Sequence, residues 1–172
     1  MNCNTCCDTN GKCVPAPGPL QCGAGGGACK ACNANQLCKA GSCQAKPPKA
    51  YSLVAVRANV PKYCGKLLFI NIDKCDPFVH VTLGSYAEKS GVKKGEKHPE
   101  WNDTLFSAPP AAFLGTQMLI KVWDGDSFLF FDDDKIGTCV HQVTQQELTA
   151  GKFVVPSCGD ADNVTFKLVP VP

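Results

Sequence analysis

Beyond residue 50 the apolar positions come in short runs that alternate with polar ones, the two-residue period of strands half-buried against a core. Leu53, Val54, Val56 and Ala58 make the first run, and Phe78, Val79, Val81 and Leu83 the second, which stops at Gly84. Further runs follow at 105–106, 118–123, 136–143, 153–155 and 164–169. Gly91, Gly95, Pro99, Pro109-Pro110, Gly115, Gly151 and Gly159 separate them, and the β-branched and aromatic content of the runs favours strands. About eight such strands predict an all-β fold, an eight-stranded antiparallel β-sandwich, over residues 51–172. One short helix is expected, with Thr144 as N-cap, Glu147 three residues on and Gly151 as its stop.

The first 45 residues lack this periodicity. Nine of the 13 cysteines fall there, at 3, 6, 7, 13, 22, 29, 32, 38 and 43, among Gly, Asn, Ala and Pro. With no aromatic residue and only Val14, Leu20 and Leu37 as large aliphatics, residues 1–45 cannot build a core and need disulfides to hold a shape. Eight paired cysteines allow about 105 connectivities, and the ninth is free, pairs between chains, or reaches the second domain. The Cys3-x-x-Cys6 and Cys29-x-x-Cys32 spacings also suit zinc, but five further cysteines would be unexplained and the module has no His. Lys46-Pro47-Pro48-Lys49-Ala50 is a stiff polar spacer between the two parts.

Cysteine density points to an oxidising compartment, secreted, extracellular or periplasmic. No apolar run follows Met1-Asn2-Cys3, so we expect a secretion signal to have been removed. No stretch approaches the ~18 apolar residues of a spanning helix, and membrane contact would be peripheral. The net charge of +2 has no basic stripe of the kind that nucleic acid requires.

The densest chemistry is V-W-D-G-D-S-F-L-F-F-D-D-D-K-I-G at 122–137. Asp124, Asp126, Asp132, Asp133 and Asp134 repel one another and need water or a cation. Between them stand Phe128, Leu129, Phe130 and Phe131, which a solvated loop has no reason to display. Hard oxygen ligands beside an apolar tip suggest a calcium site that meets a membrane.

Four motifs in order carry a family pattern. Leu53-Val54-x-Val56-x-Ala58 and Asp76-Pro77-Phe78-Val79-x-Val81-x-Leu83-Gly84 resemble the opening of a C2 domain, the calcium- and lipid-binding module. His98-Pro99-Glu100-Trp101-Asn102 is similar to that family's Asn-Pro-x-Trp-Asn-Glu turn, with His98 in place of Asn. Leu119-x-x-Val122-x-Asp124-x-Asp126, then Asp134-x-Ile136-Gly137, resembles its third calcium loop, and the acidic run is similar to that of the perforin kind. The order of runs, with the 164–169 strand last, is similar to the type II circular arrangement. The resemblance implies calcium ligation by Asp76, Asp124, Asp126 and Asp134, with Asp132 as an alternative to Asp134 because the loop is long. Ile70 stands where the family's first-loop aspartate belongs, so Asp73 or Asn71 is the substitute. In the amino-terminal part, Cys6-Cys7-x5-Cys13 resembles part of a hevein-type chitin-binding knot. That family stacks sugars on aromatics, which this module lacks.

Leu67, Leu68, Phe69 and Ile70 crest the first loop as the phenylalanines crest the third, for insertion into a phospholipid membrane, for a protein contact, or for packing within the loop. Lys89, Lys93, Lys94 and Lys97 add a basic stretch. Cys64 and Cys75 bracket the long first loop, and Cys139 and Cys158 link two neighbouring strands; both are expected as local disulfides. Asn102-Asp103-Thr104 and Asn163-Val164-Thr165 are glycosylation sequons. No nucleophile elbow, phosphate loop or catalytic acid pair is present in the sequence, so an enzyme is not expected. The reading is a secreted calcium-dependent membrane-binding protein. Its competitor is an extracellular assembly protein, in which calcium rigidifies loops while the cysteine-rich module and loop tips make self-association or partner contacts.

Overall fold

The computed structural model describes residues 4–15, 18–67, 70–125 and 133–171, with the side chains of 65–67 and 70–73 outside that description. The chain forms two units, Met1–Pro47 and Pro48–Pro172.

In the smaller unit β1 (Gln36–Lys39) pairs with β2 (Ser42–Ala45) as a hairpin. Among the unit's described residues the buried apolar ones are Cys6, Cys22, Cys32 and Val14, so sulfur stands in for a hydrophobic core. Disulfides between described residues of this unit are Cys6–Cys29, Cys22–Cys38 and Cys32–Cys43. Cys6, Cys29 and Cys32 are thereby committed, which removes the zinc reading of that spacing. Cys13 is also disulfide-bonded, and Cys7 is the half-buried free thiol among the described residues.

The larger unit is an antiparallel sandwich. One sheet has the order β10 (Asp134–His141), β9 (Met118–Asp124), β6 (Pro77–Leu83), β7 (Tyr86–Lys89). The other runs β11 (Lys152–Cys158), β12 (Ala161–Val171), β3 (Ala50–Asn59), β8 (Glu100–Ala108). The last strand thus lies between the first and the penultimate, which is the type II arrangement. Alternation decides the facing: Val79, Val81 and Leu83 of β6 and Met118, Ile120 and Val122 of β9 are buried against Leu53, Ala55, Phe166 and Leu168 of the opposite sheet. Cys139–Cys158 ties β10 to β11 across the sheets.

Several elements differ from the sequence expectation, the first loop and a second helix most of all. The first loop is itself a hairpin, β4 (Tyr63–Leu67) paired with β5 (Ile70–Lys74), closed at its base by Cys64–Cys75. A second helix, α1 (Pro110–Gly115), begins where Pro109-Pro110 reads as a turn. Proline suits a first helical position because its missing N–H has no partner there anyway, and buried Phe113 anchors the turn to the core. The expected helix is α2 (Gln145–Ala150). Its Thr144 and Glu147 form a reciprocal capping box, and Gly151 ends it at φ 70°.

Candidate metal centre

Three acids gather at one end of the first sheet. Asp76 immediately precedes β6, Asp124 is the last residue of β9, and Asp134 is the first of β10. Because β10 and β6, the strands flanking β9, both run antiparallel to it, the ladder sets Asp134 opposite Asp124 and Asp124 opposite Pro77. Asp124 is only 1% exposed, Asp76 is half-buried, and Asp134 is exposed. A carboxylate so far from water needs hydrogen bonds. Its Oδ1 accepts from the Asp76 N–H, and the Gly125 N–H donates back to the Asp76 carbonyl at 2.9 Å.

The loop over residues 90–99 completes this end. The Gly95 N–H donates to Asp76 Oδ1 at 2.7 Å, which fixes the carboxylate toward the loops. Ser90, itself buried, accepts the Val79 N–H through its hydroxyl at 3.0 Å. Lys93 N–H donates to the Pro77 carbonyl at 3.0 Å. Trp101 is buried and its indole N–H donates to the same carbonyl at 3.3 Å, so the His98–Asn102 turn braces the backbone directly behind Asp76. The positioning groups Gly95 and Ser90 carry no sequence signal, because each acts through backbone geometry; Trp101 was visible only as part of its motif.

The donor chemistry fits a hard cation such as calcium, which takes carboxylate and carbonyl oxygens from separate loops. Among the described residues no three carboxylate oxygens lie within 4.8 Å of one another; the group of ligand-type atoms that does is the sulfur of Cys22, Cys32 and Cys43, all engaged in disulfides. Asp73 lies on β5 opposite Gly65, with its side chain outside the description. Asp126 and Asp132 lie outside the described residues.

Leu67 pairs with Ile70 at the tip of the first-loop hairpin. Leu68, Phe69, Phe128, Leu129, Phe130 and Phe131 lie outside the described residues. Of the basic stretch, Lys94 and Lys97 are exposed on the 90–99 loop. Lys89 belongs to β7 and holds its ammonium 5.3 Å from the Phe78 ring centroid.

With carboxylates from the residue before β6, the end of β9 and the start of β10 at one sandwich end, the comparison with known families becomes specific. The model of the C2 domain matches residues 57–154, more than half of the chain. This chain belongs to the C2 domain family. A similar curated protein is perforin-1 of Rattus norvegicus, 31% identical over 68 residues, which is 40% of this chain and 12% of perforin-1. The match therefore spans a small part of that relative's length. Among solved structures, a C2 domain of plant Extended Synaptotagmin 1 superposes with TM-score 0.50 at 19% identity, covering 74% of this chain and 98% of that one. The calcium-bound pair of C2 domains from Extended Synaptotagmin 2 gives TM-score 0.51 at 17% identity, covering 73% and 47%. Such likeness establishes the C2 fold. Within it, Asp76, Asp124 and Asp134 stand at the loop end, and the 90–99 loop is the middle of three.

Proposed function

We propose that this chain is a secreted, non-enzymatic C2 protein that docks peripherally on phospholipid membranes when calcium binds its loops. One observation carries the reading: acids from three separate positions in the sequence converge on one end of the sandwich, next to a loop whose sequence holds Phe128, Leu129, Phe130 and Phe131. Like charges are not concentrated there for stability, and a divalent cation resolves their repulsion. Asp76, Asp124 and Asp134 would hold calcium, together with Asp126 or Asp132 from the third loop. Bound calcium supplies positive charge at this end, where the acids alone would repel anionic headgroups. Apolar loop residues then gain ~1.5–3 kcal/mol each on leaving water. The disulfides of both units support an oxidising destination, and the calcium-bound structural neighbour supports the choice of ion.

Vesicle co-sedimentation in calcium against EGTA tests this. The parent is expected to sediment only with calcium, and Asp124→Asn to remain in the supernatant. Replacing two of Phe128, Phe130 and Phe131 by Ala is expected to weaken vesicle binding by about tenfold or more while leaving calcium affinity in solution unchanged. Equal sedimentation in EGTA defeats the calcium requirement. A calcium-dependent oligomer that ignores vesicles favours the assembly reading instead.

A further inference from the structure

The outer face of the second sheet carries a polar groove that the calcium loops do not explain. A single cross-strand row runs through it: Val154 on β11 faces Thr165 on β12, Thr165 faces Arg57 on β3, and Arg57 faces Glu100 at the start of β8. Residues opposed in this way have Cβ atoms ~4.5–5.5 Å apart on the same face. Asn59, His98 and Asn163 also line the groove, which encloses about 460 Å³.

The backbone is irregular on both sides of Arg57 at the same level. On β12 the register shifts between Asp162 and Thr165, where Asn163 adopts φ 52°. On the other side the β3–β8 register shifts between Ala55 and Arg57, where Asn102 of β8 adopts φ 54°. The β8 side gains one residue against β3, whereas on the β12 side a second shift between Thr165 and Phe166 restores the original register; both irregularities use the left-handed region that side-chain-bearing residues seldom enter. Bulges re-aim side chains and bend strands apart, and they concentrate beside functional sites. Paired bulges around one exposed arginine are a reason to ask what that arginine meets.

Arg57 makes no ion pair among the described residues, although Glu100 is its direct neighbour across the ladder. The groove therefore presents a guanidinium and a carboxylate side by side. A simple anion would gain from Arg57 and lose to Glu100; a simple cation would do the reverse. A ligand with anionic and cationic groups a few ångströms apart satisfies both. His98 Nδ1 is 2.9 Å from Asn59 Oδ1, which ties two lining residues of the groove together. The groove also belongs to the loop end. Asn59 is the last residue of β3 before the first loop, and Glu100 opens β8 just after the loop that holds Asp76 through Gly95.

We propose that this groove binds the zwitterionic headgroup of a phospholipid, with phosphate on Arg57 and the ammonium on Glu100, as a second membrane contact beside the calcium loops. The inference rests on the membrane-docking reading above and names the lipid class for it.

The test uses the whole chain and two exposed substitutions, Arg57→Gln and Glu100→Gln, whose melting points should match the parent. Soluble phosphocholine, phosphoethanolamine and inorganic phosphate are titrated while the backbone amides of Asn59, Asn163 and Thr165 are followed by NMR. Both zwitterions are expected to shift these amides, and inorganic phosphate to bind about tenfold more weakly. Glu100→Gln should abolish that preference, and Arg57→Gln should abolish all three responses. With phosphatidylcholine vesicles and calcium, Arg57→Gln should weaken sedimentation several-fold without altering calcium affinity. Parent-like behaviour of both variants, in a parent that does bind vesicles, overturns this proposal alone. A parent that binds no vesicle of any composition overturns the docking reading, and the lipid source of the headgroup with it.

Discussion

Asp124 concentrates the tension of this fold in one residue. Its carboxylate is buried, accepts the Asp76 N–H, and stands opposite Asp134 on one side and opposite Pro77, the residue after Asp76, on the other. Without a cation, replacing it by Asn keeps an oxygen for that N–H and removes one of the repelling charges. Asp124→Asn is therefore expected to melt at or slightly above the parent in EGTA. In about 5 mM calcium, above the ~10⁻⁴–10⁻³ M range of extracellular modules, the parent should gain stability by linkage and the variant should not. Thermal unfolding in the two buffers checks this crossing; parallel curves for the two proteins would remove Asp124 from the site. Gly137 makes the complementary point about shape. A Cβ there would overlap the Cys158 carbonyl oxygen, because β10 passes directly against the β11–β12 turn, where Asp160 N–H donates to the Ile136 carbonyl at 3.1 Å. Backbone cannot yield as a flexible side chain does, so Gly137→Ala should cost about 2 kcal/mol or more, read as a lowered urea midpoint. The glycine of the Asp134-x-Ile136-Gly137 motif thus has a packing reason independent of any metal.

At the scale of elements, the helix α2 couples the fold to pH. Burial alone would push the Glu147 carboxyl up, but the Thr144 N–H and hydroxyl and the neighbouring His141 bring it below the ordinary carboxylate value. A carboxyl depressed in the folded state stabilises fully above its unfolded value and loses that contribution as pH falls through the folded one. Glu147→Gln is accordingly expected to lower the melting point at pH 7 and to converge on the parent near pH 3, and Thr144→Ala to cost about 1 kcal/mol at neutral pH. A constant gap across that pH range would assign the effect to packing. This helix was legible in the sequence because a capping box and a stop glycine are local signals. The strands with a buried alternate face were legible for the same reason: Val79, Val81 and Leu83 need only their neighbours to declare an inner side. β7 was not, since Tyr86–Lys89 has no buried residue and exists through its pairing with β6. The β4–β5 hairpin was not, because its residues pair only with each other, outside both sheets. In the site, the order of motifs located Asp76, Asp124 and Asp134, whereas the Gly95 N–H and the paired bulges around Arg57 depend on register, which no single segment encodes.

The whole molecule combines two ways of opposing chain entropy. Residues 48–172 bury an apolar core running from Leu53 to Leu168, while the described residues of 1–47 bury little besides cysteine sulfur and Val14. A core of that kind survives without bridges, and a unit without one does not. The fragment 48–172 is therefore expected to fold alone and to melt within about 2 °C of the same domain in the full chain. Replacing both Cys139 and Cys158 by Ser removes a closure spanning 19 residues. That is worth about 3 kcal/mol in the unfolded chain, a drop on the order of 10 °C for a domain of this size, and the sandwich should still fold. Under a reductant the amino-terminal unit should instead lose its protected amides altogether while the sandwich core retains its own. Hydrogen exchange read by mass spectrometry resolves the two units in one experiment. Protection that vanishes from β6 and β9 together with the cysteine-rich unit would mean that the two are one cooperative structure, and that the sandwich depends on sulfur more than its packing implies.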